Sequence, residues 1–248
     1  MGSRHSDIMK VVSLISENEI KVRPTFMALQ YLLAISLLFC DSNLAADASL
    51  ETEWTIQRSE NGIKVYTRPE PSSQFEAVRA VMILEDVRLS SLVALIADTE
   101  ACSRLESRCV ESETIDEIDQ TESIVYRYNN MPFPVRDRDM VLRLKWYQQS
   151  DSRSVNLVIS NVTGFLPEKK RRVRMPKVNL GWKFVPLPDG SVEVSSEGHI
   201  EPGANLPAWL LNQFLVSAPF KTMEAVASIV REPLYRDAQL SFIKEVTP

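Results

Sequence analysis

Short segments in which apolar and polar residues alternate dominate the sequence between residues 63 and 201. The clearest covers 139–149, where Met140, Leu142 and Leu144 share one face and Arg143 and Lys145 share the other. A period of two is typical of a β-strand with one buried face. So many strands at short spacing favour one antiparallel sheet that is strongly curved. The predicted strands cover 63–67, 75–84, 110–118, 122–130, 139–149, 154–162, 172–185 and 192–201, with one helix over 89–97.

The hydrophobic period changes towards the end of the chain. From Pro207 to Arg231 the apolar residues recur at helical spacing, and Pro207 suits a first helical turn. Pro219 should kink or split this helix near 214–215, because proline lacks an N–H and clashes with the preceding turn. The pattern predicts an α+β fold in which a curved antiparallel sheet wraps around a long C-terminal helix. Such a fold leaves an internal apolar cavity between helix and sheet, where a ligand would bind.

The first 48 residues have the layout of a secretory signal. Lys21 and Arg23 precede an apolar run over 26–40, and Ala46-Asp47-Ala48 offers a cleavage site between small residues. The chain is therefore predicted to divide into a targeting segment, 1–48, and one domain, 49–248. An exported protein, periplasmic or secreted, is expected. The alternative is a protein anchored to the membrane through residues 26–40.

Composition excludes several classes of site. The seven glycines include no G-x-G spacing, so the dinucleotide fingerprint and the P-loop are absent. The two histidines are accompanied by no H-E-x-x-H or C-x-x-C motif, so no His/Cys metal site is expected. A net charge of −5 does not suit a protein that binds nucleic acid through a broad basic surface. We therefore expect no metal, no cofactor and no nucleic-acid partner.

Cys102 and Cys109 are the cysteines that remain after cleavage near Ala48. Export places a protein in an oxidising compartment, where such a pair is readily bridged. A Cys102–Cys109 disulfide is the favoured prediction. Two separately buried thiols are the alternative.

Two motifs resemble those of START domains, the steroidogenic-acute-regulatory-related lipid-transfer modules of the helix-grip, or Bet v 1-like, superfamily. Residues 131–139, Met-Pro-Phe-Pro-Val-Arg-Asp-Arg-Asp, are similar to the family's P-W/F-P-x-x-x-R-D signature. Residues 201–212, Glu-Pro-Gly-Ala-Asn-Leu-Pro-Ala-Trp-Leu-Leu-Asn, resemble the entry to the family's last helix. The prolines of the first motif should force a corner between two strands. Arg138 and Asp139, just after the corner, are expected to be a structural pair that satisfies polar groups of the turn, without a role in chemistry.

The resemblance implies a bacterial, exported protein that holds a lipid or sterol-like molecule in the cavity. It also implies a lining made from inward strand residues and one face of the last helix. Arg127 departs from the family pattern, where an aromatic residue can stand. It would pair with Glu106 or Glu113 and meet a head group, or else Tyr126 and Tyr128 face inward and Arg127 faces water. The implied ligand-binding set is Val125, Arg127, Met140, Leu142, Leu144, Val194, Ser196, Gly198, Gln213, Ser217 and Phe220.

A basic cluster, Lys169 to Arg172, follows the apolar residues Phe165 and Leu166. One interpretation is a loop that touches the membrane, with the apolar tip inserted and the cations on anionic head groups. The other is a solvated loop and strand edge, where lysines discourage aggregation.

Three functions fit this sequence. The first is a lipid carrier without catalytic activity. The second is an enzyme of the same superfamily, cyclase-like or hydrolase-like, in which Glu106, Asp116 or Glu197 acts as acid or base. The scarcity of histidine weighs against it, because a Ser-His or Cys-His pair is hard to assemble. The third is an interaction module whose cavity is filled by large side chains.

Overall fold

A ten-stranded sheet forms the body of the protein. The computed structural model describes residues 53–203, 206 and 214–246, which belong to one unit, Thr52–Pro248. The predicted targeting segment, 1–48, lies outside the described residues and stays a prediction. The strands are β1 Thr55–Glu60, β2 Ile63–Arg68, β3 Ala77–Leu84, β4 Cys109–Glu117, β5 Glu122–Asn129, β6 Asp137–Gln148, β7 Val155–Asn161, β8 Arg172–Arg174, β9 Lys177–Pro186 and β10 Val192–Glu201.

The strand order is β1-β2-β3-β10-β9-β7-β6-β5-β4, and all of these neighbours run antiparallel. The short β8 adds a parallel pairing to the start of β6. The sequence predicts one strand over 172–185, but Pro176 lacks an N–H and separates β8 from β9. The predicted α+β class and the curved antiparallel sheet are confirmed.

Four helices are described: α1 Leu89–Ala97, α2 Cys102–Leu105, α3 Ser217–Ile229 and α4 Pro233–Arg236. The bounds of α1 agree with the prediction. Residues 214–215 are also helical, and a turn at Val216 separates them from α3. Pro219 lies in the first turn of α3, where a backbone N–H has no partner within the helix. The helical residues are thus interrupted just before this proline, as the sequence predicts. In the described residues no helix is long and apolar enough to cross a membrane.

The core lies between α3 and the concave face of the sheet. Met140, Leu142 and Leu144 of β6 point into it, together with Phe220 and Met223 of α3. Arg143 and Lys145 lie on the opposite face and form ion pairs with Glu122 at 3.1 and 2.9 Å. The alternation read from the sequence thus separates the two faces of β6. A helix gripped by a curved sheet is the result.

A corner formed by residues 130–136 precedes β6, and the Phe133–Pro134 peptide is cis. Arg138 and Asp139 both have structural roles here, but they point to opposite faces of β6, as adjacent strand residues do. Arg138 is buried and donates to the carbonyl oxygens of Arg136, Pro202 and Gly203. Asp139 accepts hydrogen bonds from Arg174 instead, at 2.9 and 3.1 Å. Arg138 thus satisfies carbonyl groups of the turns, as expected, whereas Asp139 is bound by side chains of the neighbouring strands β8 and β5.

Candidate functional site: a cavity between the last helix and the sheet

A cavity of about 450 Å³ lies between α3 and the concave face of the sheet. Small-molecule sites in proteins usually measure roughly 300–1,000 Å³. The sheet contributes mainly apolar side chains, and α3 contributes the opposite wall. Between them lies a third wall, residues 103–108, which consists of most of α2 and the turn after it. The apolar part of the lining is Val78, Leu105, Leu180, Trp182, Ile200, Phe214, Ala218, Pro219, Met223 and Ala225.

Small residues on β10 keep the sheet side of this cavity open. Ser196 lies opposite Trp182 and Gly198 lies opposite Leu180 in the ladder between β10 and β9. A Cβ added to Gly198 would come within 2.3 Å of the Asn179 carbonyl oxygen and 2.8 Å of the Leu180 Cα. Both contacts involve backbone, so a side chain at 198 would push β9 away. Glycine is therefore needed here for the approach of two strands.

A disulfide closes the third wall. Cys102 and Cys109 are bonded, with their Cα atoms 5.9 Å apart, as the sequence predicts. Both cysteines are buried, and every residue between them lines the cavity. The Cys109 N–H also donates to the Glu106 carbonyl at 2.9 Å. We call residues 102–109 the disulfide loop.

Arg127 lies on the concave face of β5. It is opposite Met140 in the ladder, and Val125 is opposite Leu142, so these residues share the inner face. The Arg127 Nη1 donates to Glu106, a cavity residue, at 3.0 Å. Tyr126 lies on the other face, in a separate cluster with Ile124 and Val141. Of the two arrangements open from sequence, the structure has Arg127 inward and Glu106 as its partner.

Three buried polar atoms around Arg127 have no hydrogen-bond partner in the described part of the chain. They are the Arg127 Nε, the Ser112 Oγ and the Asn129 Oδ1. Ser112 lies opposite Arg127 in the ladder, and Asn129 borders the cavity. Buried polar groups in proteins are rarely left unpaired, because each costs about 1–3 kcal/mol. This end of the cavity is suited to a polar group that is not part of the chain.

The sequence-predicted binding residues fall into three groups. Ser196, Gly198 and Ser217 line the cavity. Arg127 reaches it through Glu106, and Gln213 lies outside the described residues. The remaining residues are buried in the core behind the lining, and their contact with a ligand stays a prediction. They are Val125, Met140, Leu142, Leu144, Val194 and Phe220.

Sequence reasoning did not select Trp182, Leu180, Phe214 or the disulfide loop. Trp182 and Leu180 lie opposite Ser196 and Gly198 in the ladder between β10 and β9, a pairing that only the folded sheet shows. The disulfide loop gave no periodic signal, since α2 has only four residues.

The candidate acid and base residues are dispersed. Glu197 forms an ion pair with Arg79 at 2.6 Å on the outer face, and Asp116 is exposed on β4. His199 also points away from the cavity, because its neighbour Gly198 points into it. Glu106 is the carboxylate of the described lining, and it is bound to Arg127. No group of His, Cys, Asp and Glu suited to a metal ion occurs among the described residues.

The basic cluster, 169–172, packs against the outer face of β5. Lys169 lies 4.0 Å from the ring centre of Tyr126, and Arg172 lies 3.5 Å from that of Tyr128. Arg172 also donates to the Tyr126 hydroxyl. Burial raises the pKa of Tyr126 above its ordinary value. Lys169 and Arg172 thus contact tyrosine rings of β5, although Lys169 is exposed, and Lys170 and Arg171 are exposed as well.

Two aromatic side chains project from loops beside this cluster. Phe133 is 98% exposed at the corner before β6, and Phe165 is 44% exposed. Leu166, by contrast, packs against the cluster of Ile124, Tyr126 and Val141. The two loops are neighbours, because β8 pairs with β6 and the Arg136 Nη2 donates to the Arg172 carbonyl at 3.0 Å.

A curved antiparallel sheet that holds a C-terminal helix, with a cavity between them, defines a helix-grip protein. Within that class, the family model described as START domain matches residues 40–232. The chain belongs to the START domain family, as its two sequence motifs predict.

Individual proteins and solved structures are similar to this chain. An uncharacterized protein of Pseudomonas aeruginosa is 28% identical over 183 residues, which cover 74% of this chain and 89% of that protein. The crystal structure of a STAR-related lipid transfer protein from Xanthomonas axonopodis is 30% identical and has a TM-score of 0.66. The match covers 72% of this chain and 99% of the other. Human StAR-related lipid transfer protein 5 shares the fold at 16% identity, with a TM-score of 0.62 over 83% of this chain and 96% of its own.

Proposed function

We propose that this protein binds a lipid or another hydrophobic ligand in the cavity between α3 and the sheet, and transfers it between membranes outside the cytoplasm. The observation that carries the proposal is the 450 Å³ cavity lined by Trp182, Leu180 and Phe214 in a chain of the START domain family. The similarity to a STAR-related lipid transfer protein at 30% identity supports the same function.

Burial of apolar surface supplies enough free energy to bind such a ligand. Each buried methylene contributes about 0.8 kcal/mol, so ten of them give on the order of 8 kcal/mol before the ligand's loss of freedom. A carrier needs no reacting group, and the described lining offers Glu106 as its single carboxylate. We therefore favour a carrier over an enzyme.

Export is supported by the predicted signal segment and by the disulfide. Disulfides persist in oxidising compartments such as the periplasm and are rare in the cytosol. The bond between Cys102 and Cys109 suits a protein that acts there.

Transfer requires contact with a membrane, and we propose that the exposed side chains of the two neighbouring loops make it. We define the aromatic loop surface as Phe133, Phe165, Lys170 and Arg171. The rings would enter the head-group region, and each cation near anionic lipid contributes about 1 kcal/mol. Relative to the sequence-based set, this surface adds Phe133 and leaves out Leu166, Lys169 and Arg172, which have partners within the protein.

Ligand binding is tested by native mass spectrometry and lipid extraction of protein exported by its native host. We expect a co-purified hydrophobic molecule. Thr222→Trp should exclude it, because Thr222 lines the cavity. Glu224→Trp is the matched control, since Glu224 is exposed on the same helix and does not line the cavity. An empty wild-type protein that also fails to take up added lipids would overturn the proposal.

Membrane contact is tested by flotation with phosphatidylglycerol-containing vesicles and with pure phosphatidylcholine vesicles. We expect binding to the anionic vesicles, and loss of binding in the Phe133→Asp/Phe165→Asp double variant. Ile83→Asp is the control, because Ile83 is 58% exposed on the distant strand β3. Equal flotation of the double variant and the wild type would show that another surface meets the membrane.

A further inference from the structure

The charges on the cavity wall are unbalanced. Arg104, Arg108 and Lys221 line it, with Glu106 as the carboxylate of the described lining. The protein as a whole carries a net charge of −5, so this excess of cations is local. A local positive potential in a concave site attracts anions.

Partners within the protein account for only part of this charge. Arg104 forms an ion pair with Glu232 of the α3–α4 turn, which raises the Arg104 pKa. Glu106 is held by Arg127, so it does not neutralise the remaining cations. In the described part of the chain, neither Arg108 nor Lys221 has a carboxylate partner within 4.0 Å. Arg108 instead places its guanidinium over the Phe214 ring, 4.1 Å from the centre.

The unpaired polar atoms lie at the same end of the cavity. The Arg108 carbonyl accepts a hydrogen bond from the N–H of Asn130, next to Asn129. The Arg127 Nε and the Ser112 hydroxyl are donors, and the Asn129 amide can turn to present its NH₂. An acceptor with several oxygens would satisfy all three, and hydrogen bonds to an ionised acceptor are the strongest of their kind.

We propose that the ligand is an amphiphile with an apolar chain and an anionic head, a carboxylate or a phosphate ester. Arg108 and Lys221 hold the head at the disulfide-loop end of the cavity, and the unpaired donors of Arg127, Ser112 and Asn129 bind its oxygens. The chain lies along Leu180, Trp182 and Met223. This inference rests on the proposed function, and it specifies the chemical class of the ligand.

Head-group preference is measured by displacement of the neutral fluorophore N-phenyl-1-naphthylamine from delipidated protein, at low salt and mildly alkaline pH. Three competitors share one chain and differ in charge: dodecanoic acid, dodecanol and dodecyltrimethylammonium. Dodecyl phosphate distinguishes a phosphate ester from a carboxylate. We expect the better anion to displace the probe at about one-tenth of the dodecanol concentration, from the strength of charge-assisted hydrogen bonds. Added salt should reduce this preference.

Substitutions locate the head. Lys221→Gln should lower the affinity for the anion about two- to fivefold, as expected for the loss of an exposed ion pair. Arg108→Gln should lower that affinity about tenfold, as expected for the loss of a hydrogen bond to a charged group. Dodecanol should lose less affinity than the anion in each variant, so that the preference for the anion falls. Arg108→Lys keeps the charge and should restore part of the preference, and Lys183→Gln on the outer face of β9 is the charge-matched control.

The outcomes separate this inference from the proposed function. Two results would overturn the proposal of an anionic head group and leave the proposed hydrophobic site intact. One is equal displacement of the probe by the anion, the alcohol and the cation. The other is a preference for the anion that is unchanged in the Arg108→Gln/Lys221→Gln double variant. A protein that takes up neither the fluorophore nor any of the amphiphiles would overturn both proposals.

Discussion

A single glycine has a large effect at the scale of the residue. The absence of a side chain at Gly198 lets the backbone of β9 approach β10, and it also leaves room in the cavity. The resemblance to START domains assigned Gly198 to the cavity by its position on the last strand. The structure adds that the position is set by backbone packing, since the atoms a Cβ would meet include the Asn179 carbonyl oxygen and the Leu180 Cα.

We predict that Gly198→Ala lowers the free energy of unfolding by about 1–3 kcal/mol, the usual cost of overpacking a closely packed site. Chemical denaturation followed by fluorescence measures the change. Ser196→Ala, two residues away on the same face, is the control and should alter stability by less than about 1 kcal/mol. Equal stability of Gly198→Ala and wild type would mean that β9 can shift without cost.

Arg127 shows the limit of inference from alternation alone. The pattern of β5 allows either parity, because Tyr126 and Arg127 both carry an apolar body and a polar end. The parity is decided by the ladder with β6, in which Arg127 lies opposite Met140. That pairing is a property of the folded sheet, so the sequence left two alternatives.

At the scale of the element, the helix α1 depends on a residue far away in the chain. Arg88, its N-cap, provides no side-chain hydrogen bond. The Glu245 carboxylate accepts the N–H groups of Leu89 and Ser90 instead, at 3.0 and 2.9 Å. A carboxylate here satisfies two unpaired donors and interacts favourably with the helix dipole.

Glu245→Gln should therefore lower the free energy of unfolding by about 1 kcal/mol, and Glu245→Ala by up to about 2 kcal/mol. Thermal unfolding of the two variants, compared with Glu224→Gln on exposed α3 surface, checks this expectation. If Glu245→Ala is as stable as the wild type, water replaces the Glu245 cap at no cost in free energy.

The disulfide loop is the element that links stability to the site. Closing a loop of this length stabilises a fold by about 2–3 kcal/mol in the chain-entropy model. We predict that the Cys102→Ser/Cys109→Ser double variant loses this amount in denaturation and releases a bound amphiphile faster, because residues 103–108 form one wall of the cavity. Stopped-flow transfer to lipid vesicles measures the release. An unchanged release rate with reduced stability would assign the disulfide a structural role alone.

Element prediction succeeded where the pattern was periodic. The helix over 89–97 and the strand over 192–201 have their predicted bounds. β6 lies within two residues of its predicted range, 139–149, because Met140, Leu142 and Leu144 form a regular apolar face. β1 was not predicted, since its residues are mostly exposed at a sheet edge and show no alternation. The disulfide loop was also not predicted, because its helix is too short to show a hydrophobic period. Its bond was predicted, but its place on the cavity wall depends on tertiary packing.

At the scale of the whole molecule, the cavity and the fold share α3. The helix packs Phe220, Met223 and Val226 into the core, while Ser217, Lys221 and Thr222 face the cavity. A ligand in that cavity contacts helix and sheet together, and it is bound only by the folded chain. Ligand binding must therefore stabilise the fold by mass action.

We predict that a saturating anionic amphiphile raises the free energy of unfolding of delipidated protein by about 2.7 kcal/mol at a hundred times its dissociation constant. The rise should be present in Glu224→Trp and absent in Thr222→Trp, whose indole occupies the space of the ligand. Differential scanning calorimetry at several ligand concentrations checks the logarithmic dependence. A rise of the same size in Thr222→Trp would place the ligand elsewhere on the protein, because a blocked cavity has no binding energy to contribute to the native state.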